Sequence, residues 1–586
     1  VVPKYRLEPT VFVPMPDGVR LSTDFYFPAG HEGGPLPLIL VRTMYNKNTW
    51  RDPQRFAPGF FTSHGYVFAV QDARGTHESE GVYLVSANEA ADGDAAITWL
   101  ANQPWCTGKV GTYGCSYLGE GQVLVATRRN PHHACMIPQA PGGVTRSNPF
   151  GFLTGGTNEL ATDLEWFRGS ATTLHPQYPV GISREDLLRA ASSFSTDARP
   201  PEIDFKAVLR TLPLVSMMER AGGAPSEFEL FVSTPIEDQL WDEKGFIAGH
   251  ERFNTPALWI DSWHDKCVAQ TLWLFNLLQA NSETEPAGRN QFAVVSPTGH
   301  CRSETTTERT LVGQRVMGDA RFDHWGLYLR WFDYWLKDID NGVLDMPKLQ
   351  YYAMGANEWR VADQWPLPET RFTPWYLRSG GWANSRFGDG VLSQDLPGDE
   401  PPDHYVYDPA TPVPTTGGPD PVSPWTGESV DQALVEVRHD VLVYTSPPLD
   451  QPLNVTGPIE TVLYVSSSAT DTDFVVRLVD VYPDGTAFNV QEGILRACYR
   501  EGFDRQVRLT PGEVTELRVA LGVTSNVFQP GHKIRVQVTS SNFPQHDRNL
   551  NTGGNNYDET EWLVAENVLH HSAERPSRLM LPVIPS

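Results

Sequence analysis

The sequence predicts an α/β protein in which a doubly wound, mostly parallel sheet carries a helical insertion and is followed by a β-sandwich. Three observations predict it. Short apolar runs such as Pro37-Leu38-Ile39-Leu40-Val41 and Tyr66-Val67-Phe68-Ala69-Val70 alternate with helical stretches, the mark of strands buried on both faces. A strand, a sharp glycine-flanked turn and a helix succeed one another around Ser116. After Pro347 the helical signals stop, and short turn-bounded β-runs recur to the end. A chain of 586 residues is too long for one core, and ordinary domain sizes suggest about three units.

Taken in order, Thr10–Pro14, the turn Pro16-Asp17-Gly18 and the alternating run Arg20–Phe27 read as antiparallel strands. The two buried strands named above come next, with a helix expected from about Ala87 to Asn102 on Ala91, Ala95, Ile97, Trp99 and Leu100. The run Lys109–Tyr113 leads into Gly114-Cys115-Ser116-Tyr117-Leu118-Gly119 and a helix, and Ala134–Pro138 gives another strand. From about Pro141 to Glu243 only helical periodicity remains, in Asn158–Phe167, Arg184–Ser193 and Phe205–Arg220. The sheet resumes at Pro256–Ile260 and Gln291–Val295, with a helix over Val268–Gln279 between them. An aromatic-rich helix, Asp323–Asp338, then contributes its stripe to the core. The final third should hold strands at Leu349–Met354, Thr373–Leu377, Ala433–Tyr444, Glu460–Ser466, Asp473–Val481, Ile494–Tyr499, Thr515–Leu521 and Lys533–Thr539. The Pro/Gly-rich span Gly388–Asp431 between them reads as a covering loop. The expected division is 1–145 and 244–347 for the sheet body, 146–243 for the cap and 348–586 for the β domain, most simply a jelly roll.

Composition narrows the partners. The formal net charge is −25, from 46 basic and 71 acidic residues, which argues against nucleic acid or an anionic membrane surface. No apolar run approaches the roughly 18 to 20 residues of a membrane span. Six cysteines without a framework spacing read as reduced, mostly buried thiols, so a cytoplasmic protein is expected, with an exported mature form as the alternative. Oligomeric state stays open, a homodimer among the candidates.

The chemistry starts at Ser116. Serine at the apex of a strand–turn–helix is the nucleophile elbow of α/β-hydrolases, and the turn leaves little room for Cβ atoms. Here the second glycine stands three residues after the serine rather than two. The helix beginning at Tyr117 would aim its first backbone N–H at a substrate carbonyl. In such a sheet an acid and then a histidine follow on loops after later strands. Asp261-Ser262-Trp263-His264-Asp265 follows one strand, and Ser296-Pro297-Thr298-Gly299-His300 follows the next. Asp261 lies closest to the strand end, where a residue tends to be buried or capping, while Asp265 sits further out in the loop. Asp265 is preferred on that position together with the resemblance given below. His264, adjacent to that acid, cannot easily turn its ring against it. His300 is the expected base, after a glycine that lets the loop turn. A zinc site from His264, Cys267, His300 and Cys301 has suitable ligand types but lacks any paired ligand spacing. The loop Arg42–Lys47 lacks the His-Gly-Gly-Gly signature; its Tyr45 phenol is able to donate to an oxyanion when held in place, with packing as its default role on the residues alone.

The sequence resembles the family of cocaine esterase, related acyl esterases and the X-Pro dipeptidyl-peptidases. The likeness rests on Val41–Lys47, Gln71–Gly75, Gln103–Trp105, Gly108–Gly119, Thr255–Asp265, Pro297–His300, Arg330–Lys337 and Met354–Arg360, and runs nearly end to end. It implies an α/β-hydrolase body with a helical cap and a jelly-roll domain, and an elbow written Ser-Tyr-x-Gly, which accounts for the displaced glycine. It further implies Ser116 as nucleophile, Asp265 as orienting acid, His300 as base, and Tyr45 O–H with Tyr117 N–H as the oxyanion hole. Trp166 and Phe167 would line the acyl pocket. Members acting on α-amino acid derivatives are expected to carry acidic residues just after the triad acid; here Lys266, Cys267 and Val268 stand there. Glu120, Glu159, Asp163 and Glu165 are the acidic residues left to supply a negative charge. The expected function is therefore hydrolysis of a small-molecule carboxylic ester, without metal or organic cofactor. An amidase or aminopeptidase is the first alternative and a non-catalytic binding protein the second.

Overall fold

The computed structural model describes residues 5–585 apart from 32, 53, 171–202, 225 and 419–427. Its first sheet has ten strands in the order β1-β2-β4-β3-β5-β6-β9-β10-β13-β14. These are β1 (Tyr5–Pro14), β2 (Arg20–Pro28), β3 (Leu36–Thr43), β4 (Val67–Asp72), β5 (Cys106–Cys115), β6 (His133–Gln139), β9 (Ala257–His264), β10 (Gln291–Gly299), β13 (Leu349–Ala353) and β14 (Glu358–Ala362). The small hairpins β7–β8 (Leu153–Thr154, Thr157–Asn158) and β11–β12 (Thr310–Val312, Arg315–Gly318) stand outside it. From β4 to β13 neighbouring strands are parallel, while β1–β2, β2–β4 and β13–β14 are antiparallel.

The apolar runs sort by period two. Ile39 and Val41 of β3 face a layer holding α1 (Phe56–Ser63) and the helix His324–Lys337, whose Trp331, Phe332 and Leu336 lie in that core as expected. Leu38 and Leu40 face the opposite way, onto Ala96, Ile97 and Leu100 of α2 (Glu89–Ala101). Further along that face, α3 (Tyr117–Ala126) and the helix Val268–Asn281 pack Val123, Leu124, Leu272 and Phe275 against Trp259, Ala293 and Val295. Covered on both sides, the sheet has the layering of a doubly wound α/β fold.

Between β6 and β9 the chain forms α4 (Leu160–Gly169) and short helices at Phe205–Leu209, Met217–Arg220, Phe228–Ser233 and Leu240–Glu243. The expected helix Arg184–Ser193 lies outside the described residues. The expected helix Phe205–Arg220 is broken into Phe205–Leu209, a 3-10 turn at Leu214–Ser216 and Met217–Arg220. Pro213, which has no N–H to continue a ladder, stands at the break.

The C-terminal region is β-rich, an eleven-stranded sheet built on the long strands Leu453–Ser467 and Thr515–Phe528. Two expectations change here. Leu349–Met354 does not open this region: β13 pairs in parallel with β10 and completes the first sheet. The covering loop Gly388–Asp431 contains strands Val391–Ser393 and Asp403–Tyr407, short runs set between the glycines and prolines of Gly388–Gly390 and Pro397–Pro402. The two sheets meet at a backbone seam. Met354 N–H donates to Ser525 O at 3.0 Å, and Val527 N–H donates to Met354 O at 2.7 Å. A Cβ on Gly355 would lie 2.2 Å from Val527 O, so only glycine allows the approach.

Candidate active site

Ser116 stands between β5 and α3 with φ 61° and ψ −131°, a conformation that costs a non-glycine residue about 1–3 kcal/mol and persists only where its surroundings enforce it. Its N–H donates to Gln139 O at 2.9 Å, from the tip of the neighbouring strand β6. The same carbonyl explains the displaced glycine, because a Cβ on Gly119 would approach Gln139 O to 2.4 Å. Helix α3 starts at Tyr117, so that residue's amide is among those without an intrahelical acceptor. Tyr117 is anchored from below by its own hydroxyl, which donates to Glu89 Oε1 at 2.5 Å. Glu89 is paired in turn with Arg42, at 3.3 Å.

Asp265 and His300 come together across the carboxyl ends of β9 and β10. His300 Nδ1 lies 2.6 Å from Asp265 Oδ2. The other carboxylate oxygen accepts the Cys267 N–H at 2.8 Å, so both oxygens are held. A hydroxyl chain steadies the loop bases: Ser262 Oγ lies 3.0 Å from Thr298 Oγ1 and 2.9 Å from Ser303 Oγ. With its Nδ1–H on the carboxylate, His300 leaves Nε2 as an acceptor.

The rival candidates are placed elsewhere. His264 is buried with Nδ1 on Pro297 O at 3.0 Å, and burial pushes its pKa down to about 4. Asp261 is buried, and desolvation with the adjacent Asp265 charge holds it well above the usual carboxylate range. Cys301 is not a free thiol but is disulfide-bonded to Cys115, which removes a ligand from the zinc alternative and corrects the expectation of reduced cysteines for this pair. Cys106, Cys135, Cys267 and Cys498 are free and buried. Among the described residues no group of three or more His, Cys, Asp or Glu could hold a metal ion.

Ser116, His300 and Tyr45 border one cavity of about 840 Å³. Burial first of all pushes the Tyr45 pKa up to about 12, with the nearby Trp166 and Ser116 side chains opposing the shift. Trp166 of α4 borders the cavity. Phe167 does not: it is fully buried, with its ring 5.2 Å from Phe231 and 5.8 Å from Phe152, because adjacent helical positions point to different faces. Of the acidic residues considered, Glu120 and Glu165 border the cavity and Asp163 does not. Glu159 lies instead on a second cavity of about 410 Å³, between the cap and the β-rich region, which Asp265 also borders. Burial pushes Glu120 up to about 8, with Lys266 opposing the shift. Lys266 borders the main cavity too.

Three features of the site escaped sequence reasoning. Glu304 Oε1 accepts from Tyr113 Oη at 3.2 Å and Gln139 Nε2 at 3.1 Å, linking the loop after His300 to the strands behind Ser116. Glu428, from the β-rich region, pairs with Arg302 at 3.1 Å. Its carboxylate also fills the space beside Gly299, where a Cβ would lie 2.4 Å from Glu428 Oε1. That glycine is required for room and not, as expected, for a turn. The third feature is the disulfide, whose only sequence trace is that each cysteine adjoins a candidate catalytic residue.

Comparison with known proteins places the chain in company. Residues 17–302 match the model of the X-Pro dipeptidyl-peptidase (S15 family), and residues 341–580 that of the X-Pro dipeptidyl-peptidase C-terminal non-catalytic domain. The chain is 33% identical to cocaine esterase of Rhodococcus sp. (strain MB1 Bresler), over 99% of each. Among solved structures it resembles an α-amino acid ester hydrolase, with TM-score 0.80, 27% identity and 99% and 97% of the two chains covered. An aminopeptidase from a marine sediment Thaumarchaeota archaeon gives TM-score 0.79, 26% identity and the same coverage.

Proposed function

The chain belongs to the family that joins cocaine esterase to the X-Pro dipeptidyl-peptidases, and from that premise we propose that it cleaves a carboxylic ester through an acyl-enzyme on Ser116. The family's chemistry is serine ester hydrolysis on an α/β-hydrolase body with a β-rich C-terminal domain. The observation that carries the residue assignment is the 2.6 Å contact of His300 with Asp265 beside the strained Ser116, on one cavity.

In this reading His300 Nε2 takes the Ser116 proton as Oγ attacks the ester carbonyl. Tyr45 O–H and Tyr117 N–H hold the oxyanion, and Asp265 stabilises the imidazolium. The alcohol leaves with the proton from His300, and water resolves the acyl-enzyme by the same route. Trp166 borders the acyl side. Lys266, where amino-acid-specific enzymes are expected to be acidic, favours plain esters over aminoacyl substrates. No nucleic acid or membrane partner is proposed; among the described residues no helix is long and apolar enough to cross a membrane. The Cys115–Cys301 bridge favours an oxidising compartment, hence the exported form over the cytoplasmic one. The body, cap and jelly-roll division is kept with one change: the strands to Ala362 go with the body.

The test is covalent. A fluorophosphonate probe should label the protein stoichiometrically, and peptide mapping should place the adduct on Ser116. Ser116→Ala should lose labelling and about 10⁴- to 10⁶-fold in kcat on p-nitrophenyl esters. A folded variant with near-native turnover overturns the assignment. Faster cleavage of X-Pro anilides than of simple esters by the native protein would move the reading to a peptidase.

A further inference from the structure

Cys115 immediately precedes Ser116 and Cys301 immediately follows His300, and the two sulfurs are bonded across a sequence separation of 186, with Cα atoms 5.8 Å apart. Cys115 ends β5 and Cys301 stands two residues beyond β10, and these strands are not neighbours in the sheet, for β6 and β9 lie between them. The bridge therefore arches over the carboxyl edge of the sheet and joins two positions that hydrogen-bond ladders relate only through three successive strand pairings. It also pins a loop in an uncommon conformation, since Cys301 has φ 56°. The other restraints on that loop are non-covalent, among them Glu304 with Tyr113 and Gln139, Ser303 with Ser262 and the Asp261 carbonyl, and Arg302 with Glu428. Arg302 is half-exposed, so its ion pair is screened by water.

We propose that Cys115 and Cys301 are positioning residues whose disulfide sets Ser116 against His300, so that the enzyme turns over at full rate only in its oxidised form. The inference rests on the triad reading above. It specifies chemistry that can be reversed. Cys301 is exposed, and both cysteines border the cavity, so a small dithiol reaches the bridge without unfolding the protein. One thiolate of the reductant attacks a bridge sulfur and gives a mixed disulfide; its second thiolate closes the ring. Two electrons and two protons pass to the protein, leaving thiols at Cys115 and Cys301 and a cyclic disulfide in solution. Cys267, which also borders the cavity, does not compete, because burial holds its thiol well above the ordinary range and keeps it protonated.

The experiment compares protein purified without reductant with the same protein treated with dithiothreitol and desalted, peptide mapping scoring the bridge in each. Reduction should lower kcat on a p-nitrophenyl ester roughly 10- to 100-fold, the scale of a misplacement of about 1 Å, while KM stays nearly constant. The rate of fluorophosphonate labelling at Ser116 should fall in proportion, and reoxidation should restore both. Cys115→Ala/Cys301→Ala should match the reduced enzyme and ignore dithiothreitol. Unchanged kcat after mapped reduction overturns the proposal, as does a fully active preparation with free thiols at both positions. Loss of circular dichroism on reduction also overturns it, by making the bridge a general brace. Failure to label Ser116 in either state would instead strike the triad reading itself.

Discussion

The indole N–H of Trp166 donates to Tyr45 Oη at 3.0 Å, so a cap residue orients a phenol that sits on the body's β3 loop. A lone pair of that oxygen is thereby occupied, and its own proton is left for the Ser116 side of the cavity. Tyr45 is pushed up to about 12 by burial, so it stays a protonated donor. Tyr45→Phe should lower kcat about 10²- to 10³-fold with little change in KM, the usual loss for one oxyanion donor. Steady-state kinetics on p-nitrophenyl butyrate checks it, and an unchanged kcat returns Tyr45 to packing.

Asp261 and Asp265 share a strand end but not a role. Asp265 meets His300, whereas burial and its neighbour's charge hold Asp261 well above the usual carboxylate range. Asp265→Asn should cost about 10⁴-fold in kcat by favouring the wrong histidine tautomer. Asp261→Asn, which keeps the side chain's size at a site where burial disfavours the charged acid, should retain most activity. Reversed effects would reassign the acid.

Glu120 links stability to pH. Burial raises it from the ordinary 4.5 to about 8, so across that window the folded state holds a proton that the unfolded state has lost. Stability contributed by this site is intact below the unfolded pKa and falls as pH rises towards about 8. Glu120→Gln should therefore gain melting temperature relative to the parent as pH climbs through the window, read by differential scanning calorimetry. Parallel melting curves at both ends would refute the shift. The same carboxyl should favour an ester bearing a quaternary ammonium over its neutral isostere only once pH exceeds about 8, and Glu120→Gln should abolish that preference.

Gly119 carries a steric prediction. Its absent Cβ would meet Gln139 O at 2.4 Å, and that carbonyl also receives the Ser116 N–H. Gly119→Ala should destabilise by about 1–3 kcal/mol, the cost of overpacking, and lower kcat as the elbow shifts. Urea denaturation together with initial rates would test both; native stability would show that the elbow tolerates the methyl.

The sheet body was legible in the chain because buried parallel strands write themselves as apolar runs, and Ile39 and Leu40 sort to opposite faces by simple alternation. The candidate site was legible because an elbow, an acid and a histidine each follow a strand. What stayed hidden depends on distant partners. Glu428 and Gly299 are 129 positions apart, and nothing local shows that one fills the space beside the other. Phe167 could not be told from Trp166, since both lie on one helical segment and only the cap's packing decides which faces the cavity. The disulfide failed for the same reason: spacing along the chain carries no trace of two sulfurs brought together over a sheet edge. The strand Leu349–Ala353 was misassigned because a short β-run does not announce which sheet it joins.

The stitching of Met354 to Ser525 and Val527 has a practical corollary for anyone wishing to shorten this protein. Cutting the chain after Ala362 would strip the backbone partners from Met354 and bare the Arg315 guanidinium, which now rests on Asp480 at 2.9 Å. A hydrolase core expressed alone would thus carry a raw strand margin and an orphaned cation, a recipe for clumping rather than for a minimal enzyme.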